Sequence, residues 1–135
     1  MKKPVFGTIL YVDDEPSLRE IGKTMLCCLG FDTILAASGE ECIKILTEKK
    51  EAIDLIILDL VMPGLNGQQT LEELHKRNIK VPVILTTGFA LSDLPREPNK
   101  LQLANAVITK PFDLEKLRVV INKVLGGKFG LAQCE

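Results

Sequence analysis

The chain of 135 residues contains no tryptophan, one tyrosine, one histidine and five phenylalanines. Seventeen lysines and arginines against eighteen aspartates and glutamates leave a formal net charge of -1. Few stacking groups and no excess of positive charge give no footprint for DNA or RNA. No apolar run reaches the roughly 20 residues that a membrane span requires. The opening Met1-Lys2-Lys3 and the apolar stretch Val5–Val12 do not make a signal peptide. The stretch is short, contains Gly7 and Thr8, and ends in Asp13-Asp14 without a small-residue cleavage site. A cytoplasmic protein is expected. No G-x-x-x-x-G-K-[ST] loop is available to cradle a nucleotide. Cys27, Cys28, Cys42 and Cys134 form no C-x-x-C pair, and the single His75 adds little to a zinc site. They read as small apolar residues in a reducing compartment.

What is present suits one domain of ordinary size: 46% hydrophobic and 26% charged residues. Apolar runs without period-2 alternation recur at Val5–Val12, Thr33–Ala37, Leu55–Leu58, Val81–Leu85 and Ala106–Thr109. Such runs predict strands covered on both faces. Between them, Leu18, Ile21, Met25 and Leu29 keep helical spacing, as do Leu114, Leu117, Ile121 and Val124. Ile43 with Leu46, and Leu71 with Leu74, mark two shorter helices; Gly30 and Gly126-Gly127 sit where C-terminal caps belong. Pro95 and Pro98 shorten a further helical segment to roughly 98–104. Five β-α units in succession predict an α/β fold, a parallel sheet with helices on both faces.

Ligands of an open parallel sheet bind beyond the carboxyl ends of its strands. Asp13 and Asp14 follow the first run, Asp59 the third, Thr86 and Thr87 the fourth, and Lys110 the fifth. Ser38-Gly39, after the second, reads as a helix start. Three gathered carboxylates repel and raise one another's pKa; a hard divalent cation such as magnesium relieves this and leaves coordination positions for a phosphate. A carboxylate can act as phosphoryl acceptor, and lysine and threonine can bind phosphoryl oxygens. Taken singly, Asp13 or Asp14 would serve as well as a helix N-cap, Thr87 as turn chemistry and Lys110 as a solvated charge. Together, four polar strand ends of the right kind argue for a site.

Asp13-Asp14, the stretch Asp59-Leu-Val-Met-Pro63-Gly-Leu-Asn-Gly67, Thr87-Gly88 and Lys110-Pro111-Phe112 resemble the receiver domains of two-component response regulators. The resemblance covers about residues 5–125 and divides the chain into a receiver at 1–127 and a short tail at 128–135. It implies a flavodoxin-like, doubly wound five-stranded parallel sheet of order 2-1-3-4-5. It implies that Asp59 is the phosphoacceptor, taking a phosphoryl group from a sensor histidine kinase or histidine phosphotransfer protein and then switching partner binding. Such a switch catalyses only its own phosphotransfer and dephosphorylation. Asp14 is the implied direct ligand of Mg2+, with Asp13 acting through water, and Asp59 and the backbone carbonyl of Val61 completing the protein ligands. Lys110 is implied to pair with the phosphoryl group, Thr87 to move towards it, and the Lys110–Pro111 bond to be cis.

The chain departs from that pattern at Val107, where receivers carry Tyr or Phe, and at Ala104-Asn105-Ala106, where a small residue and Gly are usual. Asn105 can take the left-handed conformation in glycine's place, so this departure is mild. Val61 and Phe89, both apolar, are expected to flank the phosphoryl group and hinder an attacking water. A phosphatase of the haloacid dehalogenase type would need a second acid at Val61. A receiver reduced to an interaction module would not need the full set of Asp13, Asp14, Asp59, Thr87 and Lys110. His75, within Leu74-His75-Lys76-Arg77, reads as a surface residue. The Met1 start and the tail from Lys128 to Glu135 suggest a stand-alone regulator.

Overall fold

The computed structural model describes residues 6–49, 52–88 and 103–126. Its elements are β1 (Gly7–Val12), α1 (Pro16–Cys28), β2 (Phe31–Ala36), α2 (Gly39–Lys49), β3 (Leu55–Asp59), α3 (Gly67–Lys76), β4 (Val83–Thr87), β5 (Ala106–Thr109) and α4 (Leu114–Val124). The five strands form one sheet of order 2-1-3-4-5, and every pairing is parallel. This is the expected architecture. The helix expected at roughly 98–104, with Pro95 and Pro98, lies largely outside the described residues, as do the tail and Phe89.

Strand alternation divides the core between the two faces. Ile9, Tyr11, Leu55, Ile57, Ile84 and Ile108 pack with Leu26 of α1 and with Leu117 and Ile121 of α4. Leu10, Val12, Ile56, Leu58, Val83 and Leu85 pack with Ile43 and Leu46 of α2 and Leu71 and Leu74 of α3. Burial on both sides explains why the central strands carry no polar alternation. Gly22 allows α1 to lie against Tyr11, because a Cβ there would come within 2.5 Å of the ring.

Strand limits moved where local chemistry outweighed the apolar run. Phe31 and Asp32 belong to β2, because Gly30 ends the preceding turn at φ +94° and Phe31 is already in the core. Val81 and Pro82 precede β4: proline has no N–H for the ladder, although its carbonyl accepts from Ile56 N–H at 2.9 Å. Thr86 and Thr87 therefore lie within β4 rather than beyond it. Asn105 is not left-handed; among the described residues that are not glycine, only Asn78 has positive φ. Asn105 instead accepts from Val83 N–H through Oδ1 at 2.9 Å and donates its own N–H to Val83 O at 2.8 Å, tying β5 to the start of β4. Cys42 is buried, as expected of a small apolar residue, and its thiol is pushed up to about 12 by that burial. Cys27 and Cys28 are not core residues but exposed positions on α1, and His75 is exposed.

Candidate functional site

The carboxyl ends of β1 and β3 lie side by side at the point where the strand order reverses. There the crossovers to α1 and α3 leave to opposite faces of the sheet and open a crevice. A cavity of about 690 Å³ occupies it, lined by Asp13, Asp14, Asp59, Val61 and Lys110 among others.

Each carboxylate is placed by a local device. Glu15 is the N-cap of α1, with Pro16 in its first turn and no side-chain cap bond. Asp13 supplies an acceptor there: its Oδ1 takes the Glu15 N–H at 3.0 Å, its N–H donates to Ala36 O at 3.1 Å, and its carbonyl accepts from Arg19 Nη1 at 2.7 Å. Asp59 ends β3, and its Oδ1 receives the Val61 N–H at 3.4 Å. The turn that follows is fixed by Gly64 at φ +73° and by the capping box of Asn66 and Gln69 at the start of α3. Lys110 follows β5, where its N–H donates to Thr87 O at 2.7 Å and the Lys110–Pro111 bond is cis.

Lys110 Nζ stands 3.0 Å from Asp13 Oδ2 and 3.2 Å from Asp59 Oδ2. One ammonium thus faces two buried carboxylates, and Asp14 adds a third acidic group open to solvent. Burial raises the Asp59 pKa; Lys110 works against that rise and Asp13 adds to it. Burial disfavours the Lys110 ammonium, yet the hydrogen bond to Asp13 and the charges of Asp59 and Asp13 prevail and raise its pKa. The Tyr11 phenol is also raised, first by burial and then by Asp13 and Asp59. The site carries more negative than positive charge.

Oxygens of Asp13, Asp14 and Asp59 all lie within 4.8 Å of one another, a span that one cation can bridge. An all-oxygen set with an open side suits a hard divalent ion. Among the described residues the Asp14 carboxylate has no hydrogen bond or ion pair, so it is available to such an ion. Five of the expected site residues, Asp13, Asp14, Asp59, Val61 and Lys110, therefore meet at one cavity. Thr87 is fully buried and not among the cavity-lining residues; register sets Thr86 opposite Asp59 and Thr87 opposite Thr109. Sequence reading passed over Arg19 and Tyr11. A cation four residues into an amphipathic helix and an aromatic within an apolar strand carry no distinguishing signal.

Comparison with known proteins agrees with this geometry. The model of the response regulator receiver domain matches residues 9–122. "Probable transcriptional regulator ycf27" of Porphyridium aerugineum is 43% identical over 118 residues, which are 87% of this chain and 47% of that protein. "Probable C4-dicarboxylate response regulator DctR" of Bacillus subtilis is 35% identical over 120 residues, 85% of this chain and 50% of that one. The chain spans about half the length of these curated relatives. Among solved structures, a receiver domain protein from Clostridium thermocellum superposes with a TM-score of 0.79 at 30% identity, covering 93% of this chain and 99% of the other. The Thermotoga maritima response regulator TrrA, solved in complex with Mg(2+)-BeF, gives 0.77 at 33% identity, covering 88% and 99%. With the acidic crevice at the switch point and the match over most of its length, the chain belongs to the response regulator receiver domain family of two-component systems.

Proposed function

We propose that Asp59 accepts a phosphoryl group from a phosphohistidine of a sensor kinase or histidine phosphotransfer protein, with Mg2+ held by Asp14, Asp59 and the Val61 carbonyl and, through water, by Asp13. The observation that carries this reading is Lys110 Nζ poised 3.2 Å from Asp59 Oδ2 in a crevice of three carboxylates. The donor set fits magnesium by chemistry, and the TrrA relative carries the same ion with a fluoride of beryllium. Bound there, Mg2+ neutralises the excess negative charge and offers coordination positions to phosphoryl oxygens.

The chain's own residues do the rest. An Asp59 carboxylate oxygen attacks phosphorus in line; the P–N bond of the donor breaks with its electron pair going to the imidazole, and a P–O bond makes the aspartyl phosphate. Lys110 then shifts from carboxylate to phosphoryl oxygen, where its raised pKa keeps it charged. Thr87, tied to Lys110 through its backbone carbonyl, supplies a hydroxyl to another phosphoryl oxygen. With Val107 at the position where the receiver pattern has an aromatic, that movement reaches the partner-binding surface without a ring to swing. The protein acts as a cytoplasmic switch whose catalysis is confined to its own phosphorylation and dephosphorylation, with an output protein rather than nucleic acid as its direct contact.

Intact mass after incubation with acetyl phosphate and Mg2+ tests this. One added phosphoryl group, absent from Asp59→Asn and from a magnesium-free sample, is expected. No adduct, and no response to beryllofluoride, would reject the assignment.

A further inference from the structure

Of the two acidic residues after β1, only one is at liberty. The polar groups of Asp13 are committed: N–H to Ala36, Oδ1 to Glu15, Oδ2 to Lys110 and the carbonyl to Arg19. The Asp14 carboxylate has no such partner among the described residues, yet it must be aimed at the crevice. Its aim depends on the peptide that joins it to Asp13. Among the described residues, the one side chain bonded to that peptide is Arg19, whose Nη1 reaches back from the first turns of α1 to the Asp13 carbonyl at 2.7 Å. Arg19 is half-buried, and its own N–H holds Glu15 O at 3.0 Å as part of the helix.

We propose that Arg19 is a positioning residue of the cation site, which locks the Asp13–Asp14 peptide so that the Asp14 carboxylate is presented to the metal. The inference rests on the magnesium reading above. The physical reason is preorganisation. A charge-assisted bond to a carbonyl is among the stronger hydrogen bonds, and it fixes a peptide whose rotation would otherwise sweep Asp14 away from Asp59. Partners of this kind, which orient ligands without touching the metal, typically change affinity by about 10- to 100-fold when removed. The guanidinium lies outside the crevice lining, so it takes no part in phosphoryl transfer itself.

Arg19→Met keeps the apolar stem and removes the donor; Arg19→Lys keeps one charged donor. Magnesium binding is measured on the unphosphorylated protein by calorimetry or by fluorescence of Tyr11, the chain's single tyrosine in the absence of tryptophan. The acetyl phosphate reaction is then followed against magnesium concentration. Arg19→Met is expected to weaken magnesium binding about tenfold and to raise the half-saturating magnesium by the same factor, leaving the rate at saturating magnesium unchanged. Arg19→Lys is expected to fall closer to wild type than to the methionine variant. A purely structural tie would lower the melting temperature without that split between half-saturation and maximal rate. Unchanged magnesium affinity in Arg19→Met overturns the proposal. So does a methionine variant that is unfolded without metal, which would assign Arg19 to the fold. If wild type binds no magnesium, the reading of the site fails instead, a separate result.

Discussion

The α-carbon of Gly67 lies so close to Asp59 that a Cβ built on it would stand 2.6 Å from the Asp59 carbonyl oxygen and 2.7 Å from the Cα of Leu60. Its N–H also donates to Leu60 O at 2.9 Å, so α3 starts in direct contact with the end of β3. The glycine of the Asp59–Gly67 stretch is there for this approach, since the neighbouring atoms are backbone and cannot give way.

Gly67→Ala should therefore act on fold and site together. Overpacking against backbone typically costs about 1–3 kcal/mol. We expect the midpoint of chemical denaturation to fall accordingly, and the rate of phosphorylation by acetyl phosphate to fall with it because Asp59 is displaced. A variant with unchanged stability would show that α3 can slide away without cost.

The layout was legible in the sequence because chain and chemistry agree. Buried parallel strands read as unbroken apolar runs, so each residue after Val12 and Leu58 could be placed at a strand end from pattern alone. Asp13, Asp59 and Lys110 followed. Contacts between distant segments were not legible. Nothing local shows that Asn105 bridges to Val83, that Gly22 admits the Tyr11 ring, or that Arg19 turns back on Asp13. Each depends on which atoms a third element brings near. Asn105 leaves unused the left-handed conformation open to it for that reason: its side chain finds a partner across the sheet, and the backbone has no need of positive φ.

Asp59 and Lys110 give the apo-protein a defined pH dependence. The Asp59 pKa is raised above its ordinary value, mainly by burial. Its contribution to stability is therefore full in acid and lost as pH climbs through the raised value. Lys110 is also raised, so its contribution persists through neutrality and is lost only in alkali. At neutral pH, Asp59→Asn should stabilise the apo-protein, with the gain vanishing in acid. Lys110→Met should cost about 3 kcal/mol, because it leaves two buried carboxylates without a cation. Stabilisation by magnesium should grow from acid to neutral pH, since binding needs the ionised carboxylate. Thermal melts at several pH values, with and without magnesium, check all three. Magnesium stabilisation independent of pH would contradict this account of Asp59.

Thr86 and Thr87 separate by face. Thr86 shares a register position with Asp59, whereas Thr87 pairs with Thr109 and carries the carbonyl bonded to Lys110. Thr87→Val should still accept a phosphoryl group but lose most of the beryllofluoride-induced change in amide chemical shifts. Thr86→Val should keep that response. The reverse pattern would exchange the two roles.

Val61 stands over the crevice, 55% exposed although apolar, two residues beyond Asp59. Its N–H is turned towards Asp59 Oδ1, and its exposed isopropyl group lines the crevice, where on the proposed function it would border the phosphoryl group. An apolar rim offers an attacking water no hydrogen bond, whereas an amide would hold and orient it. A single such bond in the transition state is worth about 1 kcal/mol, or somewhat under tenfold in rate. Val61→Asn should therefore shorten the half-life of the aspartyl phosphate severalfold, with little change in stability because the position is exposed. Loss of the phosphoryl group is followed by intact mass after removal of acetyl phosphate. An unchanged half-life would mean that attack comes from a direction Val61 does not cover.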